Sequence, residues 1–169
     1  MSNPSRVLIA GMGNVLRRDD GFGSEVARRL LDGVLPPGVG VIDAGIAGVR
    51  IVQELMDGYA GVIFVDATER GGVPGTLYEL EPDVTAPLTA EDAPDSLHMI
   101  EPGRVIALAR AAGCLPPCVT IIGCEPEDYD ELTLDLSQAV TAAVPRAVEL
   151  VLARASSWQQ QLDSIPDSG

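Results

Sequence analysis

VLIAGMGNVLRRDDGFG, residues 7–23, reads as a buried strand running into a glycine turn and then into two adjacent carboxylates, Asp19 and Asp20. The apolar run over 6–10 ends at Gly11. From Phe22, apolar residues recur at Val26 and Leu30, with Ala27 and Leu31 beside them, on one helical face. A dinucleotide-binding turn between strand and helix needs a third glycine after Gly11 and Gly13, but Leu16 stands there. Asp43 could be argued as its ribose partner, yet Asp19 and Asp20 would repel a pyrophosphate placed near them. A cofactor-binding oxidoreductase is therefore disfavoured, and the paired acids need another explanation.

Outward from this stretch the same alternation continues. VIDAG (41–45) reads as a short strand and 47–59 as a helix, with Val52, Leu55, Met56 and Tyr59 inward. GVIFVDA (61–67) is the clearest buried strand and carries Asp66 near its end. TLYEL (76–80) alternates like an edge strand, and CVTIIGC (118–124) is another buried one. Helices are expected at about 103–112, stopped by Gly113, and at 136–155, with a kink at Pro145. The expected fold is α/β, a three-layer α/β/α sandwich around a twisted, mostly parallel sheet of about five strands. One domain is expected over residues 1–156, with a polar, frayed tail over 157–169. In open sheets of this kind sites lie at the carboxyl ends of the strands, where Asp19, Asp20 and Asp66 fall.

Bulk properties narrow the function. The chain has 169 residues, 46% of them hydrophobic, which is a globular composition. A net charge of −14 argues against nucleic acid and against anionic membrane surfaces. No apolar stretch approaches the roughly 20 residues of a membrane span, so no membrane insertion is expected. No signal peptide is evident, and three cysteines fit a reducing cytoplasm better than a disulfide framework. All 11 basic residues are arginine, which excludes a Walker-type phosphate loop and any lysine Schiff base.

His98 is the only histidine. It ends the acidic, proline-rich loop 81–97 rather than sitting on an apolar helical face, which favours a ligand or proton carrier. There is no GxSxG elbow, and Ser96 is too near His98 for a triad. A Cys₃His zinc site is disfavoured because a strand over 118–124 separates Cys118 from Cys124 by roughly 20 Å. Asp20, Asp66 and His98 remain, three hard-to-borderline donors that leave room on a metal for water or substrate. Two carboxylates in one cleft are costly unless one protonates or a cation intervenes. The simpler roles are a helix-dipole charge for Asp20 and a turn cap for Asp66.

Taken together, GMGNVLRRDDGFG, DAGIAG (43–48), FVDA (64–67), SLH (96–98) and GCEPE (123–127) resemble the hydrogenase maturation endopeptidases, in order and spacing, across about residues 6–154. The resemblance implies an endopeptidase that trims a C-terminal extension from the precursor of a [NiFe] hydrogenase large subunit. It implies that Asp20, Asp66 and His98 engage Ni²⁺, carried by that precursor. Asp20 stands where some members have glutamate, one methylene longer, and Gly45-Ile46 where a threonine often follows the glycine. Asp19 is expected to orient the loop, and Gly11, Gly13 and Asn14 to shape the turn that aims Asp20 into the crevice. The rival reading is a non-enzymatic nickel-binding checkpoint or carrier using the same three residues.

Overall fold

The computed structural model describes residues 5–85 and 101–166. In chain order the elements are β1 (Val7–Met12), a 3-10 turn (Arg18–Gly21), α1 (Phe22–Asp32), β2 (Val39–Gly45), α2 (Val49–Leu55), β3 (Gly61–Ala67), β4 (Leu77–Leu80), α3 (Pro102–Ala111), β5 (Cys118–Cys124) and α4 (Gln138–Asp163). They form the expected α/β architecture, one five-stranded sheet in the order β2-β1-β3-β5-β4. Four strands are parallel, and β4 pairs antiparallel on the edge of β5.

Strand composition explains the layering. Alternate residues of the central strands leave opposite faces, so an unbroken apolar run must be covered on both. Val7, Ile9, Ile63, Val65 and Ile122 pack against α1 and α4, while Leu8, Ala10, Val62 and Phe64 pack against α2 and α3. Between β1 and α1 the packing is tight enough to require glycine. A Cβ on Gly11 would lie 2.3 Å from the Gly23 carbonyl oxygen, and one on Gly23 would lie 2.1 Å from that of Val65.

Three expectations are corrected. Leu31 and Met56, placed on inward faces by period, are exposed, because α1 and α2 bury narrower stripes. The second helix covers only Val49–Leu55 rather than 47–59. The last helix does not end at 155. It runs to Asp163, through Pro145, because Trp158 is only 8% exposed and its ring fills the space left by Gly61 at the start of β3. Part of the expected polar tail is thus an ordered, packed helical segment. Among the described residues no helix is long and apolar enough to cross a membrane.

Topology then sets the position of the cleft. The chain leaves β1 for β2 on one side and returns for β3 on the other, so the carboxyl ends of β1 and β3 flank the switch point of the sheet. Asp20 follows β1, and Asp66 is the penultimate residue of β3.

Candidate active site

The turn after β1 is built to separate its two aspartates. Arg18 adopts φ +45°, in the left-handed region, and the 3-10 turn that starts there has three residues per turn. Successive side chains therefore leave it about 120° apart. Asp19 points inward and is fully buried, while Asp20 reaches the cleft. Gly13, at φ +122°, makes the approach possible: a Cβ there would stand 1.9 Å from the Asp20 carbonyl oxygen. The Asn14 amide donates to Asp20 Oδ2 at 2.9 Å, and Asn14 Oδ1 accepts from the Leu16 amide at 3.0 Å. The expected role of this turn is visible in those contacts.

Asp19 is a joint between loops. Its carboxylate accepts from the Ser137 amide (2.7 Å), the Ser137 hydroxyl (2.8 Å) and the amides of Glu127 (2.8 Å) and Asp128 (3.2 Å). Its own amide donates to the Asp128 carbonyl. Ser137 is also the N-cap of α4, its hydroxyl accepting from the Val140 amide. A fully buried charge is tolerated when it is satisfied in this way. The loop after β5 is thereby fixed to the loop that carries Asp20.

Asp20 and Asp66 line one cleft of about 220 Å³, with Arg17, Glu69, Glu101, Pro126 and Tyr129 around them. Asp66 is buried, and its pKa is pushed well above the usual carboxylate value, first by burial and then by the neighbouring charge of Asp20. A hydrogen bond from the Ala67 amide opposes the rise, and Glu101 adds to it. A positive charge placed between the two carboxylates would relieve both causes. Their oxygen chemistry suits a divalent ion. Among the described residues no group of three histidine, cysteine, aspartate or glutamate side chains could hold a metal. The third expected member, His98, lies outside the described residues.

The rim was not read from the sequence. The Arg17 guanidinium lies 5.4 Å from the centre of the Tyr129 ring, and the Tyr129 hydroxyl donates to Glu69. These residues are remote in sequence and meet only because β1, β3 and β5 end together. Glu125 is a third buried carboxylate, after Asp19 and Asp66, that periodicity alone does not reveal. It accepts from the Arg70 amide (2.7 Å), the Gly72 amide (3.0 Å) and the Tyr78 hydroxyl (3.0 Å), and so holds the loop after β3. Burial would raise its pKa, but these hydrogen bonds outweigh it and keep the group below its ordinary value. Asp43 accepts from the Ser24 hydroxyl at 2.7 Å. The three cysteines are free, with Cys118 and Cys124 at opposite ends of β5.

Comparison with known proteins gives a consistent result. The family model described as hydrogenase maturation protease matches residues 24–154. The hydrogenase expression/formation protein HupD of Rhodobacter capsulatus is 34% identical over 157 residues, covering 92% of this chain and 73% of the relative. Among solved structures, the hydrogenase maturating endopeptidase HybD from E. coli superposes with a TM-score of 0.73 at 26% identity, over 90% of this chain and 93% of that one. The hydrogenase 2 maturation peptidase from Thaumarchaeota archaeon SCGC_AB-539-E09 gives 0.66 at 37% identity, over 88% and 97%.

Proposed function

The chain belongs to the hydrogenase maturation protease family and is an endopeptidase, and from that premise we propose that it removes a C-terminal extension from the precursor of a [NiFe] hydrogenase large subunit, in a nickel-dependent step. The nickel is part of the substrate, carried in by the precursor, and Asp20, Asp66 and His98 are the residues that engage it. One observation carries the reading. Two carboxylates converge at the switch point of the sheet, and the buried one is destabilised as an anion by the other. A substrate bearing a divalent cation would find there a site whose repulsion it relieves, whereas a metal-free precursor would meet that repulsion unrelieved. Bound between the acids, the ion would polarise a scissile carbonyl or activate a water. Asn14 holds Asp20 in place through its amide.

The test is incubation with nickel-loaded and nickel-free precursor, followed by intact-mass measurement of the large subunit. Loss of a C-terminal peptide only in the nickel-loaded sample supports the reading. Equal cleavage of both samples removes nickel from it, and nickel-dependent binding without any mass loss supports a carrier instead. His98→Ala is expected to abolish trimming with the thermal transition unchanged. Retained trimming in that variant would take His98 out of the site.

A further inference from the structure

The loop after β5 does more than wall the cleft. Thr133 bridges to the turn after β1: its amide donates to the Leu16 carbonyl at 2.9 Å, and the Arg18 amide donates to the Thr133 carbonyl at 3.1 Å. The amides and carbonyls of the flanking Leu132 and Leu134 take no part in that pairing. Among the described residues they carry no hydrogen bond. Their side chains are 81% and 70% exposed, and Val15 and Leu16 next door are 44% and 57% exposed. Four exposed apolar side chains gathered about one bridge make a patch of the kind that marks an interaction surface.

Leu134 is also a ridge between two hollows. One, of about 270 Å³, is lined in part by Val15, Arg28 and Asp43; the other, of about 220 Å³, by Arg29 and Val144, with Glu25 and Leu136 on the border of both. Arg17 connects this surface to the cleft. Its side chain lines the cleft beside Asp20, while its backbone lies opposite Thr133 in the ladder. Beside the apolar pair, Asp130 and Glu131 are ion-paired with Arg17 (3.4 Å) and Arg18 (2.7 Å), and Asp135 follows, in a chain with no lysine and a net charge of −14.

We propose that Val15, Leu16, Leu132 and Leu134 form the docking surface for the precursor that this protease cuts, receiving an extended apolar segment flanked by basic residues. This rests on the protease reading above and names the surface that the reading needs. The main-chain groups of Leu132 and Leu134 supply hydrogen-bond partners, the two hollows receive side chains on either side of Leu134, and the acidic field of the chain favours the basic flank. Two features fix the choice of occupant. The surface is continuous with the cleft through Arg17, so a chain lying on it would pass the two aspartates. The net charge of −14 of the whole chain also favours a basic partner over a second copy of this acidic chain.

The experiment compares the wild type with the double variant Leu132→Ser/Leu134→Ser, and with Val34→Ser as a control at a fully exposed valine just past α1. The probe is each nickel-loaded large-subunit precursor encoded by the source genome. Binding is read by surface plasmon resonance, and trimming by intact mass. The expected result for the double variant is a Kd and KM raised about tenfold or more, with kcat within about twofold and the thermal transition unchanged. Val34→Ser should match the wild type. Unchanged precursor binding in the double variant overturns the proposal, as does a wild type that binds no precursor. A wild-type dimer that the double variant dissociates, with precursor binding unaltered, also overturns it by assigning the surface to a second copy. If the wild type binds but does not trim, the proposed activity fails alone. The binding comparison then still decides the docking surface.

Discussion

Asp66 is held where a carboxylate is least comfortable, buried and beside another carboxylate. Its pKa is raised on folding, so the folded state binds its proton more tightly than the unfolded chain does. The penalty is absent below the unfolded value, grows as pH rises toward the folded one, and is fully present above that. Asp66→Asn is therefore expected to stabilise the protein at pH 7, by about 1–3 kcal/mol on the scale for desolvating a buried polar group, while abolishing precursor trimming. Thermal denaturation at neutral and at acidic pH checks this. The gain should shrink as pH falls toward the ordinary carboxylate value, and an Asn variant less stable than wild type at neutral pH would contradict it. The positions of Asp20 and Asp66 were legible because both fall just after or within apolar runs that had to be strands. The fate of Asp19 was legible only in outline. That it would orient the loop follows from its adjacency to Asp20, but its partner Ser137 is 118 residues away and no local pattern marks it.

At the level of elements, β3 was readable to the residue because an apolar run bounded by Gly61 and Ala67 has one interpretation. Helix α4 was not. Its valines spell a helical stripe, but beyond Ser156 the sequence turns polar, and a single tryptophan gives no period. What extends the helix is tertiary contact: the Trp158 ring occupies the room that Gly61 leaves by having no side chain. Trp158→Ala should cost about 3 kcal/mol, measured by denaturant unfolding, since it empties a buried site that the glycine opposite cannot fill. A frayed segment would show almost no cost. The exposed Leu31 and Met56 have the converse explanation. Period places them at the margin of an apolar stripe, and how wide a stripe is buried depends on neighbouring elements that the period does not describe.

Across the whole molecule, the carboxyl end of the sheet gathers the two aspartates, the Arg17–Tyr129–Glu69 rim and the exposed leucines of the loop after β5. The chain as a whole carries a net charge of −14. Association with a basic-flanked precursor should therefore be steered electrostatically. Raising salt from about 0.05 to about 0.5 M is expected to slow association by about tenfold while leaving dissociation within about twofold. Stopped-flow mixing reads the two rates separately, and a salt-insensitive on-rate would show that the acidic field takes no part. The architecture was legible from strand and helix period, whereas the rim was not, because it is made by loops that topology alone brings together. The turn at Gly13 has a different consequence, for how such a protein can change over generations. Any other residue there must drive a methyl group into the Asp20 carbonyl, so the lineage cannot retune its inner turn one codon at a time. Novelty in what is cut has more room on the proposed docking surface, where exposed leucines can be exchanged without disturbing the fold, and a designer seeking a new client would begin at the same place.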